Sequence, residues 1–353
     1  MKEHDVTLGE ELRRQGISRR SFLKFCTAVA SSMAIPATMV PAMAQSLAQA
    51  RRQSVIWMSY QECTGCIESL TRSFNPTVEN LIFNFISLDY QHALQAAAGR
   101  QAEDALEAAI QENYGNYLVI VDGSIPIAND GLYSTVDGHT NLESLRHVAE
   151  GAAAIVSIGT CASFGGVGAA APNPTGAVGV DQIITDKPIL NVPGCPPMPE
   201  VMTGVLTSFL AFGALPNVDH LKRPMAFFGD TIHDRCYRRP FYDQGKFAKT
   251  FDDEGARKGW CLYELGCKGP ITYNACATLK WNGGTSWPVQ GGHGCLGCSE
   301  PNFWDKGSFY KPLSAGQWGT AEGIAIAAAA GVALGAVSAV MSRRNQNKLS
   351  GGK

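Results

Sequence analysis

The cysteines between residues 233 and 298 constrain this chain more than any other feature. Six of its eleven cysteines lie there, in a stretch rich in glycine and aromatic residues. The stretch begins with His233-Asp-Arg-Cys236, continues with Cys261, Cys267 and Cys276, and ends with Cys295-Leu-Gly-Cys298. Clustered thiolates bind zinc, copper or iron-sulfur clusters, and the spacing of the ligands separates these possibilities.

The spacing favours iron-sulfur clusters that are held by loops. Zinc sites usually consist of paired short spacings that together supply four ligands, such as two CxxC pairs. Here one HxxC and one CxxC are separated by single cysteines. Disulfide bonds are an alternative in an exported protein. However, a histidine among the candidate ligands and the odd total of eleven cysteines favour metal binding.

Short apolar runs alternate with helix-like segments between residues 54 and 212. The runs that predict buried strands span residues 55–58, 81–88, 117–121, 153–158 and 189–192. Helix-like segments lie at residues 93–113, 141–150 and 198–212. Strands and helices that alternate at this spacing predict an α/β fold with a doubly wound parallel sheet.

Four further cysteines directly follow predicted strands. Cys63 and Cys66 follow the first strand, Cys161 follows the fourth and Cys195 follows the fifth. Open parallel sheets bind their ligands beyond the carboxyl ends of the strands, so we expect these four thiols to converge. Buried, unpaired core cysteines are the alternative. Glu62, directly before Cys63, is expected either to relay protons or to cap the next turn.

The composition changes near residue 220, where the alternation stops and Gly, Trp, Pro and Cys become frequent. We therefore expect one domain at residues 51–221 and a second, loop-rich domain at residues 222–313 whose stability depends on metal. His293 is expected to be a loop residue near the metal and a weaker candidate ligand than His233. With 45% hydrophobic residues the chain can bury a sizeable core, and its net charge of -2 gives no basic footprint for nucleic acid.

The N-terminal segment is typical of a twin-arginine export signal. The sequence SRRSFLK at residues 18–24 is followed by an alanine-rich apolar stretch and by the small residues Ala42-Met43-Ala44. Cleavage is expected near residues 44–50. An N-terminal membrane helix is the alternative, but Pro36 and Pro41 interrupt the stretch. The twin-arginine route exports folded proteins, so a cofactor can be inserted in the reducing cytoplasm before export.

A transmembrane helix is predicted at residues 323–341. These 19 residues carry no charge, and a helix of that length spans about 28 Å, close to the thickness of a hydrocarbon core. Arg343 and Arg344 follow it, so the positive-inside rule predicts a cytoplasmic C-terminus. A buried, alanine-rich soluble helix is the alternative.

Several blocks of the sequence together resemble the small subunit of membrane-bound nickel-iron uptake hydrogenases. The blocks are Glu62-Cys-Thr-Gly-Cys66, Gly159-Thr-Cys161, Pro193-Gly-Cys195-Pro-Pro, His233-x-x-Cys236, Leu265-Gly-Cys267-Lys-Gly-Pro270 and Gly294-Cys-Leu-Gly-Cys298-Ser-Glu-Pro301. The resemblance covers residues 54–313 together with the signal and the C-terminal tail. It implies a flavodoxin-like first domain that faces a large subunit.

The resemblance also implies three clusters in a line. A proximal 4Fe-4S cluster would be held by Cys63, Cys66, Cys161 and Cys195. A distal 4Fe-4S cluster would be held by His233, Cys236, Cys261 and Cys267. A medial 3Fe-4S cluster would be held by Cys276, Cys295 and Cys298, with Pro288 in place of a fourth thiolate. Only Cys26, inside the signal, is left without a role.

The implied function is electron transfer from a partner that carries a nickel-iron centre. No catalytic residue is expected in this chain, because hydrogen is split in the large subunit. The electrons would pass to a membrane cytochrome b or to an iron-sulfur partner that reduces quinone, on the periplasmic side of the inner membrane. Oxygen-tolerant relatives carry two further cysteines where this chain has Gly65 and Gly166, so the resemblance implies a standard, oxygen-sensitive type.

Three other functions are compatible with part of the sequence. A quinone-reducing respiratory complex subunit resembles the first domain alone and would lack residues 233–298 and the export signal. A stand-alone ferredoxin-like carrier would need no large buried face and no nickel partner. A disulfide-stapled exported binding protein would be colourless.

Overall fold

A five-stranded parallel sheet forms the centre of the protein. The computed structural model describes residues 6–14, 16–33, 35–50, 52–74 and 76–313. The strands are β1 (Gln53–Ser59), β2 (Ile86–Gln91), β3 (Tyr117–Asp122), β4 (Ala152–Ile158) and β5 (Ile189–Val192). Their order in the sheet is β2-β1-β3-β4-β5, and every pairing is parallel. This is the flavodoxin-like order of a doubly wound fold, which confirms the predicted fold class of the first domain.

Helices cover both faces of this sheet. They are α1 (Leu8–Arg14), α2 (Arg19–Ser32), α3 (Val40–Gln49), α4 (Gly65–Thr71), α5 (Arg100–Glu112), α6 (Asn141–Glu150), α7 (Gly159–Phe164) and α8 (Pro199–Phe212). Two short antiparallel pairs lie outside the main sheet, Ile125–Pro126 with Ala177–Val178 and Thr135–Val136 with His139–Thr140.

The alternation of side chains along the strands divides the core into two layers. Ile56, Val119, Ile155 and Ile189 are register neighbours across four strands and pack with α5 and α6 on one face. The residues next to them in each strand point to the opposite face and pack with α8. Both faces are apolar because a parallel sheet is covered by helices on both sides.

The predicted second strand is partly wrong. Leu81–Phe85 forms a π-helical turn, and β2 begins only at Ile86. Leu81 and Phe85 are buried in the layer that contains α8. A short apolar run fits a buried turn as well as a buried strand, so its composition could not separate the two.

The helix boundaries follow local signals. A capping box between Thr140 and Glu143 starts α6, and Pro199 occupies the first turn of α8. The helix expected at residues 93–113 begins later, at Arg100, because the preceding Gly99 has a positive φ of 58°. The side chain of Gln91 accepts hydrogen bonds from the backbone N–H groups of Ala93 and Leu94 and so stabilises a turn there.

The N-terminal segment is folded against the sheet domain. Helix α2 buries Phe25, Cys26 and Val29, and α3 buries Met43 and Leu47, all in the layer that contains α8. The sequence predicted an apolar export signal here but did not indicate where its apolar side chains would pack.

Residues 213–313 contain short helices and loops around a small core of their own. The one-turn elements are Met225–Phe228, Arg239–Asp243, Glu254–Arg257, Tyr263–Leu265, Gly269–Ile271 and Cys276–Leu279. Their core contains Ile232, Leu262, Trp287 and Val289, and several cysteines pack against it. Among the described residues, no helix has the length and apolar character needed to span a bilayer. The span predicted at residues 323–341 lies outside the part of the chain that is described.

Candidate metal centres

The four cysteines that follow strands form one group, which we call the proximal group. Cys63 lies in the loop after β1, Cys66 in α4, Cys161 in α7 and Cys195 in the loop after β5. Burial raises the pKa of the Cys66 thiol well above its usual range, and nearby Asp122 and the other three thiols raise it further. The carboxyl edge of the sheet therefore brings these thiols together, as the fold predicts.

Two glycines leave room for the proximal thiols. A Cβ atom on Gly159 would lie 2.5 Å from the Sγ of Cys66, and one on Gly166 would lie 2.5 Å from the Sγ of Cys161. Both glycines also have positive φ values, 87° and 54°. Any side chain at either position would therefore displace a thiol and strain the backbone.

Asp122 is a residue of this site that the sequence analysis did not single out. It ends β3, is fully buried, and accepts a hydrogen bond from the indole N–H of Trp57 at 3.0 Å. Burial raises the pKa of Asp122 to about 7. Open parallel sheets bind ligands at the carboxyl ends of their strands, and this rule, which selected the cysteines, also applies to Asp122.

Glu62 does not cap the helix that follows it. Its Oε1 accepts a hydrogen bond from the Thr64 hydroxyl at 3.3 Å. Thr64 itself is the N-cap of α4 and makes no side-chain cap bond. Burial raises the pKa of the Glu62 carboxyl.

A second group, the distal group, contains His233, Cys236, Cys261 and Cys267. Burial raises the pKa of Cys261 to about 11, and the thiols of Cys267 and Cys236 contribute to this rise. The backbone N of His233 and the Sγ of Cys267 lie 3.6 and 3.4 Å from a Cβ built on Gly269. Burial lowers the pKa of His233, which favours the neutral imidazole that a metal requires.

A third group, the medial group, contains Cys276, Cys295 and Cys298. All three residues are partly buried, and burial raises the pKa of Cys276 to about 12, with a further contribution from Cys298. A hydrogen bond from the Trp281 side chain acts in the opposite direction. Trp281 and Pro288 both line a cleft of about 560 Å³.

The three groups form a continuous row. Cys195, in the proximal group, is exposed as a residue, but partial desolvation of its thiol, followed by the thiols of Cys161 and of the medial Cys298, raises its pKa to about 12. The pKa of the medial Cys295 is raised by burial and then by the distal Cys267. Two hydrogen bonds show the same adjacency: the backbone N–H of Cys295 donates to the Sγ of Cys267 at 3.3 Å, and the carbonyl of Cys298 accepts from the hydroxyl of Thr160, next to Cys161. The medial group therefore lies next to each of the other two.

The thiols are surrounded by donors that suit iron-sulfur clusters. The Sγ of Cys267 accepts hydrogen bonds from the backbone N–H groups of Gly269 and Cys295, at 3.4 and 3.3 Å. The Sγ of Cys236 accepts one from the backbone N–H of Arg238 at 3.4 Å. Backbone N–H groups directed at sulfur stabilise the thiolate form and are typical of such clusters.

The described residues contain neither a disulfide nor a site for a single metal ion. None of the eleven cysteines, all of which lie in described segments, forms a disulfide. Within the described residues, no group of three or more His, Cys, Asp or Glu side chains is arranged to hold a single metal ion. His293 bonds through Nδ1 to the carbonyl of Gly294 and stacks on Phe251, as expected for a loop residue.

A buried ion-pair network lies next to the medial group. Arg223 donates from Nε to Asp219 at 2.8 Å and from a terminal nitrogen to Glu300 at 2.9 Å. It also donates to the carbonyl of Ser299, next to Cys298. Glu300 in turn accepts a hydrogen bond from the backbone N–H of Tyr273. No sequence pattern indicated this network, because Glu300 lies 77 residues after Arg223 in the chain.

The fold and the site define a class of protein. A flavodoxin-like domain and a cysteine-rich domain, joined by a row of three thiol groups, are suited to electron transfer. Two family models match the chain. The model described as NADH ubiquinone oxidoreductase, 20 Kd subunit, matches residues 63–209. The model for the C-terminal part of the NiFe/NiFeSe hydrogenase small subunit matches residues 228–311. The second match covers the region that a respiratory complex subunit would lack.

The chain is also similar over nearly its whole length to curated proteins. It is 50% identical over 349 residues to the uptake hydrogenase small subunit of Azotobacter vinelandii, covering 97% of this chain and 98% of the relative. It is 47% identical over 354 aligned positions to the hydrogenase-1 small chain of Escherichia coli K12, covering 98% of this chain and 95% of the relative.

A solved structure supports the same assignment. The reduced, active Ni-Fe-Se hydrogenase of Desulfomicrobium baculatum contains a chain with a TM-score of 0.70 and 37% identity, which covers 74% of this chain and 99% of its own. The chain belongs to the family of nickel-iron hydrogenase small subunits, the electron-transfer partners of a large subunit that holds the catalytic site.

Proposed function

We propose that this chain conducts electrons from hydrogen oxidation at the large-subunit nickel-iron centre, through three iron-sulfur clusters, to an acceptor in the membrane. The observation that carries this proposal is the continuous row of thiols. It begins with Cys63 and Cys195, which are exposed at the sheet edge, and ends at the distal group around Cys236. Such a row provides closely spaced steps for single electrons.

Each group has the ligand types for one cluster. The proximal group supplies four thiols and the distal group three thiols and His233, which suits two 4Fe-4S clusters. The medial group supplies three thiols, which suits a 3Fe-4S cluster, and the resemblance implies Pro288 in place of a fourth thiolate. When bound, these clusters supply one-electron oxidation and reduction. The chain itself sets the surroundings: burial, backbone N–H donors and a neutral histidine at the distal end.

The location follows from the two ends of the chain. The sequence at residues 18–24 supports export by the twin-arginine route, and residues 323–341 support anchoring in the inner membrane with a cytoplasmic C-terminus. The acceptor would then be a membrane cytochrome b or an iron-sulfur partner that reduces quinone. Gly65 and Gly166 support the standard, oxygen-sensitive type.

The decisive experiment combines metal analysis with low-temperature EPR on the membrane-extracted complex. Roughly eleven irons per copy of this chain, a 3Fe-type signal in the oxidised state and nickel in the co-purifying subunit are expected. Zinc in place of iron, or four irons without nickel, would contradict the proposal.

Two variants make this measurement specific. Cys276→Ala is expected to remove the 3Fe-type signal and about three irons, because it removes one ligand of the medial group. Thr285→Ala is the matched control, since Thr285 is exposed and lies outside all three groups, and it should leave the iron content of the complex unchanged.

A further inference from the structure

Helix α8 is apolar on nearly all sides. Its buried residues include Val201, Met202, Val205, Leu206 and Ala211, which together cover more than one face of the helix. A helix of this kind must be covered both toward the sheet and away from it. The sheet covers one side, and the outer side is covered by α2 and α3.

Several side-chain contacts join the N-terminal helices to α8 and to the neighbouring turn Leu81–Phe85. The Cγ of Met33, at the end of α2, lies 3.8 Å from a Cβ built on Gly204, which is an ordinary contact distance, and the glycine leaves space for the ring of Phe227, 2.9 Å from the same Cβ. The Ser46 hydroxyl of α3 donates a hydrogen bond to the carbonyl of Ala211. Phe25 contacts Phe85 with ring centroids 4.8 Å apart.

The two arginines of the same segment remain accessible. Arg19 and Arg20 are exposed in the first turn of α2, while Cys26 of the same helix is 0% exposed. Ser18 fixes the start of the helix by accepting a hydrogen bond from the backbone N–H of Ser21 at 3.1 Å. One helix therefore presents its charged end to solvent and its apolar side to the protein core.

We propose that the outer side of α8 is a binding surface for the chain's own residues 19–49, which mask it in the full-length chain while Arg19 and Arg20 stay exposed. This inference rests on the proposed export function, because it assigns a role to the segment that export would remove. A receptor can contact the arginines without disturbing the contact. A partner that binds the apolar stretch must first detach it from α8.

The start of α8 lies close to the proximal group. Helix α4, which carries Cys66, is attached to the loop before α8 by the Ser69 hydroxyl, which donates to the carbonyl of Pro197 at 2.6 Å. The same loop carries Cys195, which is exposed.

The reactivity of the Cys26 thiol measures whether the N-terminal segment is bound to the sheet domain. This thiol is fully buried between α2 and the core, and burial raises its pKa to about 11, so the folded chain should react slowly with alkylating reagents. The full-length chain is purified before export and treated with a maleimide, and labelling of the Cys26 peptide is followed by mass spectrometry. Labelling at least about tenfold slower than in the denatured chain is expected. Equal rates in the two states would overturn the proposal.

Two variants of α3 test the contact between the N-terminal segment and α8. Leu47 is 0% exposed, so Leu47→Asp should detach the segment, speed labelling of Cys26 on the order of tenfold, and increase binding of an apolar dye. Gln45 is exposed on the same helix, so Gln45→Asp should behave like the wild type. If both variants label Cys26 at the wild-type rate, the segment does not mask α8. If Leu47→Asp fails to fold, the wild-type comparison still decides the question.

A third variant separates this inference from the export proposal. Replacing both Arg19 and Arg20 with lysine should block export but leave Cys26 protected, because both side chains are outside the contact. Normal export of this variant would refute the twin-arginine assignment alone. Loss of Cys26 protection in it would refute the docked arrangement alone.

Discussion

The hydroxyl of Thr160 donates a hydrogen bond to the backbone carbonyl of Cys298, which lies 138 positions later in the sequence. The same hydroxyl accepts a hydrogen bond from the backbone N–H of Gly194 at 2.9 Å. Thr160 precedes the proximal Cys161, Gly194 precedes the proximal Cys195, and Cys298 belongs to the medial group. One buried side chain thus connects the loops of two adjacent groups and the two domains that carry them.

Thr160→Val should weaken this connection. Valine has the same shape but leaves the Gly194 N–H and the Cys298 carbonyl without their partner in a site that is 1% exposed. A loss of about 1–3 kcal/mol in the free energy of unfolding is expected, measured by urea denaturation of the purified complex. Thr160→Ser retains the hydroxyl and should lose much less. Equal stability of the valine and serine variants would show that the hydrogen bonds contribute nothing.

Gly65 and Gly166 should respond differently to substitution. A Cβ on Gly166 would lie 2.5 Å from the Sγ and 2.8 Å from the Cα of Cys161, at a φ of +54°, whereas the nearest atom to one on Gly65 is the Sγ of Cys63 at 3.2 Å. Gly166→Ala should therefore displace Cys161 and lower the iron content by up to about four per chain. Gly65→Ala should retain most of its iron. Normal iron content in Gly166→Ala would mean that the loop can rearrange.

Strands and helices that have a local sequence pattern could be predicted from the sequence. The apolar runs at residues 117–121 and 189–192 became β3 and β5, and the segment 141–150 became α6 with the same bounds. The fold class followed from their alternation. The convergence of the proximal cysteines followed in turn, because a parallel sheet collects its strand ends at one edge.

Contacts between distant segments could not be predicted in this way. The bond from Thr160 to Cys298 and the packing of Met33 against Gly204 depend on how whole elements dock, and no local pattern encodes that. The turn at Leu81–Phe85 was missed for a related reason, since an apolar pentapeptide fits several buried conformations. The assignment of individual cysteines to clusters stays a prediction.

His92 should make stability depend on pH. It lies directly after β2, where its Nδ1 accepts a hydrogen bond from the backbone N–H of Ser59 at 3.1 Å, and burial lowers its pKa below the usual 6.5. The unfolded chain therefore binds a proton at higher pH than the folded chain does. The stabilising contribution of neutral His92 is complete above pH 6.5 and is lost as the pH falls toward the lowered pKa.

His92→Asn tests this dependence because asparagine retains an acceptor but does not titrate. The difference in unfolding free energy between wild type and variant should be constant above about pH 7 and should shift in favour of the variant below it. Urea unfolding at a series of pH values measures the difference. The exposed His139→Asn serves as a control. A pH-independent difference for His92→Asn would contradict the assignment.

Substitution of Arg223 should strongly lower the free energy of unfolding. Its side chain is 2% exposed, and its partners Asp219 and Glu300 are 12% and 9% exposed. Removing one member of a buried ion pair leaves a charge without compensation, so Arg223→Met should lower the free energy of unfolding by about 3–5 kcal/mol. Arg223→Lys retains the charge but has a single donor group in place of the planar fork, so it should restore only part of the loss.

A double-mutant cycle separates the ion pair from general packing. Glu300→Gln alone also leaves Arg223 with less compensation, whereas in the double variant with Arg223→Met the Arg223–Glu300 pair is absent and only Asp219 has lost its partner. The sum of the two single losses in unfolding free energy should therefore exceed the loss in the double variant, and the difference, the coupling energy, should be about 1–3 kcal/mol. Because Arg223 also bonds to the carbonyl of Ser299, beside Cys298, Arg223→Met should in addition alter the EPR signal of the cluster proposed at the medial group. Strict additivity, together with an unchanged signal, would mean that Arg223 only fills space between Phe228 and Tyr273, whose rings lie 5.5 and 5.3 Å from its guanidinium.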